Sequence, residues 1–157
     1  QWAQMSTADA FRGKASFVKS AIRSQLNQKS IRYNWHEPDV TMIEGVLARG
    51  DRKLSKAIVN VYEAGGIFAA WTEYFSMEMW MQAFQDAGID PDFYTIRERS
   101  DDERFPWDFI DTGVSKRFLL SEWKHALGEH VTPNCRQQCA GCGARRYGGG
   151  VCYEDQD

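Results

Sequence analysis

The first 134 residues contain no cysteine, and the four that exist, Cys135, Cys139, Cys142 and Cys152, crowd into the end of the 157-residue chain. This absence excludes a disulfide framework across the body and confines thiol chemistry to one segment. No apolar run approaches the ~20 residues a membrane-spanning helix needs, and no signal peptide is visible. Neither sign of charge dominates: the formal net charge is −3. A broad basic footprint for nucleic acid is therefore missing, although Arg145 and Arg146 form a small local patch. No glycine-rich phosphate loop follows a strand, and no Ser, His and acid set stands in a nucleophile context. Aromatic residues, by contrast, are plentiful. Six Trp, nine Phe and six Tyr within 43% apolar residues exclude a disordered chain. At 18.0 kDa the chain can bury one modest core. It begins at Gln1 rather than Met, as expected of a piece of a longer protein, and a cytoplasmic location is expected.

The cysteines stand in the stretch CRQQCAGCGARRYGGGVC, spaced C-x3-C-x2-C with nine residues before Cys152. Loops of two to four residues let two sulfurs reach one ion, and thiolates select zinc or iron–sulfur clusters. Gly141 and Gly143 flank Cys142, and residues without a Cβ let backbone amides turn toward a charged sulfur. The pattern suits a tetrathiolate zinc or a 4Fe–4S cluster. Two disulfides, or four free thiols on a flexible tail, are the alternatives. His130 is the best substitute ligand should Cys152 stand too far away, and His125 is also close to the tail. Each histidine, including His36, is individually better read as an ordinary surface or core residue.

The body predicts a mainly α fold, bundle-like, with one or two short strands and a cysteine-rich tail. Ser6 with Asp9 suggests a capping box for a helix over 7–28 carrying Phe11, Ala15, Val18, Ile22 and Leu26 on one stripe. Ile31, Tyr33 and Trp35 alternate with Arg32, Asn34 and His36, the period of a short strand. Asp39 after Pro38 and then Asp51 can start helices that stop at Gly50 and at Gly65–Gly66. Ser76 can cap a helix presenting Met77, Trp80, Met81 and Phe84 on one face, a stripe better read as core than as ligands. From Asp90 to Thr112 the chain reads as a long charged loop, with the run RERSDDER as solvated surface. Its paired carboxylates, such as Asp101 and Asp102, lack the desolvation that would tune an acid. Ser115 offers a cap for a last helix through Phe118, Leu119, Trp123 and Leu127 to Gly128. Composition divides the chain into a helical region, 1–130, and a metal-binding tail, 131–157.

Four segments in order, YNWHEPDVTMIEGVLARGDRKLSKAI, AAWTEYFSMEMWMQAFQDAGIDPDFY, FPWDFIDTGVSKRFLLSEWKHAL and TPNCRQQCAGCG, together with Gln1-Trp2-Ala3, span nearly the whole chain. They resemble the C-terminal region of the cobalamin-binding-domain radical S-adenosylmethionine proteins. The resemblance implies an upstream cobalamin-binding domain and an upstream barrel as partners. It also implies that the barrel's own 4Fe–4S cluster, S-adenosylmethionine and cobalamin are bound there, so that radical chemistry belongs to those domains. The helices here would then extend the barrel, and the strand near Trp35 would complete or cover its sheet. Cys135, Cys139 and Cys142 share the spacing of a radical S-adenosylmethionine cluster motif. That motif precedes most of its barrel, and a barrel needs on the order of 200 residues, so these cysteines are expected to hold an auxiliary cluster or zinc instead. Relatives often carry a further cysteine just after CxxCG, where this chain has Ala144 and Arg145, which leaves Cys152 as the natural fourth ligand. An independent zinc-binding interaction module without catalysis is the alternative. A small enzyme in its own right is the weakest reading, for want of a convergent catalytic set.

Overall fold

The computed structural model describes residues 2–25 and 33–147. Its α-helices are α1 (Ala8–Gln25), α2 (Pro38–Arg49), α3 (Leu54–Glu63), α4 (Met77–Ala87), α5 (Asp92–Thr95) and α6 (Lys116–Leu127), followed by a 3-10 turn at Ala144–Tyr147. The chain forms two compact units, one of Gln4–Arg97 and one of Gln1–Ala3 with Glu98–Asp157. The cysteine tail thus belongs with α6 and the charged segment before it.

In the Gln4–Arg97 unit, apolar spacing decides which helix faces turn inward. Leu54, Ala57 and Val61 on α3 meet Trp80, Ala83 and Phe84 on α4, with Ile43 and Val46 of α2 and Tyr94 of α5 completing the core. Ala57 and Ala83 keep the approach of α3 to α4 close, and Phe84 and Val46 are the large side chains buried outright. Burying a side chain of this size contributes about 1.5–3 kcal/mol. Gly45 in the middle of α2 costs about 1 kcal/mol relative to Ala as a helix residue. The segment ahead of α1 passes over it. Met5 donates its N–H to the Thr95 carbonyl at 3.0 Å, and a Cβ on Gly45 would stand 2.2 Å from the Met5 sulfur.

Ser76 caps α4 as the sequence predicts, accepting from the Met79 N–H, and Gly88 ends it in the left-handed region. Other starts differ. The hydroxyl that caps α1 is that of Thr7, which accepts from the Ala10 N–H at 3.2 Å, while Asp9 pairs with Arg12 at 2.6 Å. Pro38 occupies the first turn of α2 after Glu37, which frees Asp39 to bind Arg12 at 2.8 Å. Of the predicted stripe on α1, Ala15 is buried, Val18 remains exposed, and Leu26 lies outside the described residues.

Of the strand expected over Ile31 to His36, the described part does not form: no strand occurs among the described residues, and 33–37 is non-helical chain. Ile31 and Arg32 lie outside the described residues. The alternation survives as local geometry, since the Tyr33 and Trp35 rings lie 5.4 Å apart, tilted by 31°. Lys19 covers the Trp35 ring at 4.2 Å. A lone extended segment has no ladder to join, and helix α1 supplies a side-chain partner instead.

The stretch 90–112 is not wholly irregular, because Asp92–Thr95 closes as α5. Nor is its charge run entirely solvated. Arg99 is buried beside an aromatic group in which Trp2 meets Phe105 edge-on at 5.4 Å and Trp107 stacks on Phe105 at 5.4 Å. Trp2 donates its indole N–H to the Ser100 carbonyl, and the Lys116 ammonium sits 4.6 Å above the Phe105 ring. Cation–π attraction and the carboxylate of Glu103, 3.9 Å from Arg99, allow the guanidinium to leave water.

Phe84→Ala should lower the unfolding free energy by about 3–5 kcal/mol, measured by urea denaturation. Met81→Ala, on the exposed side of the same helix, should cost far less. Equal losses would mean that the inward face of α4 is wrongly identified.

Candidate metal centre

The tail is attached to α6 at Ser115. Its hydroxyl accepts from the Phe118 N–H at 3.1 Å, capping the helix, and its own N–H donates to the Cys142 carbonyl at 2.9 Å. Gly141 and Gly143 both adopt positive φ, 70° and 103°, which side-chain-bearing residues rarely tolerate. This turn brings the Ala144 N–H onto the Cys142 sulfur at 3.5 Å. An amide aimed at a sulfur is the kind of hydrogen bond that backbone N–H groups give metal-bound thiolates.

Cys135 lies in a second turn. Asn134 accepts the Arg136 N–H through its side chain and the Gln137 N–H through its carbonyl, both near 3 Å. Cys135 and Cys139 are exposed and Cys142 half-buried, all as free thiols. Among the described residues, no three His, Cys, Asp or Glu side chains are gathered as a ready ligand set. Cys152 lies outside the described residues. The donor chemistry fits zinc or an iron–sulfur cluster, and flexible thiolate sites commonly close only with the ion, because metal binding and folding are coupled.

Two cavities border the tail. An open one of about 700 Å³ lies among Trp107–Lys116, Leu119, Gly143 and Arg146. Its wall is fixed by Asp111, which accepts the Gly113 N–H at 3.0 Å and pairs with Arg146. The Tyr147 ring lies against Gly113, whose Cβ would meet it at 2.2 Å. The Gly113 N–H is the first cause holding the Asp111 carboxyl below its ordinary value; some loss of hydration opposes it, and the Arg146 charge and the Tyr147 and Arg146 hydrogen bonds add to it. At Asp108 partial burial pushes upward. Hydrogen bonds from Lys116 and the Phe105 N–H, with the charges of Lys116 and Arg104, outweigh it and leave the carboxyl lowered.

The second cavity, about 310 Å³, is lined by Glu122, His125, His130, Gln138 and Ala140 among others. His125 and His130, separately unremarkable in the sequence, have ring centres 6.3 Å apart. His36 is exposed and belongs to the other unit. The sequence showed Arg146 only as half of a small basic patch with Arg145, and Asp111 and Tyr147 carried no expectation. The signal was the Asp-Thr-Gly at 111–113, a side-chain-to-backbone turn motif.

No family model, curated protein or solved structure matches this chain. No helix among the described residues is long and apolar enough to cross a membrane.

Gly143→Ala should detach the tail from α6. Its Cβ would stand 2.8 Å from the Gly113 carbonyl oxygen, on a backbone that costs a side-chain-bearing residue roughly 1–2 kcal/mol. Hydrogen exchange of the Ser115 amide should accelerate about tenfold, 1.4 kcal/mol being a factor of ten; unchanged exchange would contradict the docking. Asp111 gives a pH dependence. Its folded value is lowered from 3.8, so its stabilisation is fully present above that value and is lost as pH falls further, through the folded value. NMR titration should show the Gly113 amide moving only in that acid range, and a midpoint above the ordinary value would contradict the tie.

Proposed function

We propose that this chain is the C-terminal region of a cobalamin-binding-domain radical S-adenosylmethionine protein. In that role it packs its helices on the barrel and binds zinc or an auxiliary 4Fe–4S cluster with thiolates drawn from Cys135, Cys139, Cys142 and Cys152. The observation that carries the metal is the Ala144 amide directed at the Cys142 sulfur, in a turn that needs two positive-φ glycines. Bound zinc would act as a structural clip, and a cluster would add electron transfer; the chain's own part is to orient Cys142 and tie it to α6.

Uncovered apolar surface supports the packing role. On α6, Leu127 is exposed, while Phe118, Leu119, Leu120 and Trp123, spaced as an apolar face, are half-buried. Between α3 and α4, Phe68, Trp71 and Tyr74 form a ring cluster with centroids 5.4–6.2 Å apart, each ring more than half exposed. Contiguous exposed apolar groups mark interaction surfaces. The ties of the tail within its own unit favour a second reading, an independent zinc-stabilised module, for which a monomeric fold lost on chelation would be decisive.

Chain purified without oxygen should contain stoichiometric zinc, or should take up iron and sulfide with a broad visible absorption. Cys139→Ser should lose most of that metal in elemental analysis. Full metal content in the variant, or none in the unsubstituted chain under either condition, would overturn the thiolate centre.

A further inference from the structure

The segment joining α3 to α4 is anchored to both helices and presents three rings to solvent. Gly66 donates its N–H to the Val61 carbonyl at 2.8 Å, so close that a Cβ there would stand 2.4 Å from the Val61 side chain and 2.8 Å from the Met79 sulfur. Ala69 and Phe75 pack against the core. The Trp71 N–H donates to the Phe68 carbonyl and the Tyr74 N–H to the Trp71 carbonyl, both at 2.9 Å. Turns of this three-residue kind bring side chains at i and i+3 to one side, and Phe68, Trp71 and Tyr74 accordingly form one cluster. Phe68 holds a φ of 60°, a strained conformation for a bulky residue, and such strain collects at functional positions. The three rings are 63%, 57% and 55% exposed, so their faces are open to a partner.

Charge decides what kind of partner. Elsewhere the chain covers its rings with its own cations: Lys19 over Trp35, Arg97 over Phe93, Arg99 and Lys116 over Phe105, and Arg146 over Tyr147. Among the described residues no cation covers Phe68, Trp71 or Tyr74. The neighbouring chain has none to offer, since residues 57–96 contain no Lys, Arg or His but six acidic residues. Three of these, Glu63, Glu73 and Glu78, frame the cluster in sequence, are exposed, and make no ion pair among the described residues. Arg52, Lys53 and Lys56 stand at the other end of α3, about 15 Å away at 1.5 Å per residue, and Lys56 is held by the Asp86 carbonyl. Electron-rich ring faces beside uncompensated carboxylates attract an organic cation and repel the phosphates of nucleic acid or an anionic lipid surface. We propose that this face docks a basic segment of a protein partner, whose Arg or Lys side chains lie over the Phe68, Trp71 and Tyr74 rings within the field of Glu63, Glu73 and Glu78. The inference rests on the reading that this face packs against a covering domain, and adds the charge that the covering segment carries.

The test is an NMR titration of the full chain with a synthetic peptide of Gly-Arg repeats, beside the same peptide with citrulline in place of arginine. Citrulline keeps the length and most hydrogen bonds of arginine and lacks its charge. The arginine peptide should shift the Trp71 indole N–H and the ring protons of Phe68 and Tyr74, and the citrulline peptide should leave them in place. Trp71→Leu, which keeps apolar bulk without the ring face, should weaken binding about two- to fivefold. Replacing Glu63, Glu73 and Glu78 together by Gln should flatten its salt dependence. Equal shifts from both peptides would overturn the basic partner and leave the packing role standing, on apolar contact alone. Shifts confined to other surfaces, or none from either peptide, would overturn the docking face itself. The comparison of the two peptides on the unsubstituted chain needs no variant to fold.

Discussion

Ser115 is the joint on which the candidate site depends. One residue caps α6 with its hydroxyl and holds the tail with its amide, through the Cys142 carbonyl. Cys142 inherits its position from that bond, and the glycines on either side turn the Ala144 amide onto its sulfur. Arg146 and Tyr147, one turn further on, fasten the same segment to Asp111 and Gly113. A thiol otherwise free on a tail is thereby placed at the first turn of α6.

The two units find stability by different means. The Gln4–Arg97 unit buries aliphatic and aromatic side chains between α3 and α4, with Ala57 and Ala83 setting the approach. The other unit has little aliphatic core and gathers Trp2, Phe105 and Trp107 under the cations of Arg99 and Lys116. Its helix α6 leaves no residue buried. An amphipathic helix draws most of its stability from the face it packs, and the apolar face of α6, Phe118, Leu119, Leu120 and Trp123, is only half-buried.

Much of the helical pattern was legible, because local rules decide it. Ser76 and Ser115 cap the helices they precede, and Gly65 and Gly88 follow α3 and α4. Errors arose where two residues of similar chemistry compete, as Ser6 and Thr7 do for one cap. They also arose where a pattern needed a distant partner, as for Tyr33 and Trp35 without a neighbouring strand. The burial of Arg99 was hidden for the same reason, since its aromatic neighbour Phe105 meets Trp2, at the other end of the sequence. At the site, cysteine spacing and flanking glycines were readable as residues. The pairing of His125 with His130 was not, because it depends on the left-handed turn at Glu129.

The central claim is that a metal ion is bound at the Cys142 sulfur. The most direct measurement loads the reduced chain with an NMR-visible cadmium isotope, which takes thiolate sites as zinc does. A bound cadmium resonance in the sulfur-ligand range, coupled through the Cys142 sulfur to the Ala144 amide proton, is the predicted result. Cadmium that stays free in solution, or binds without any effect on the Ala144 amide, would contradict it.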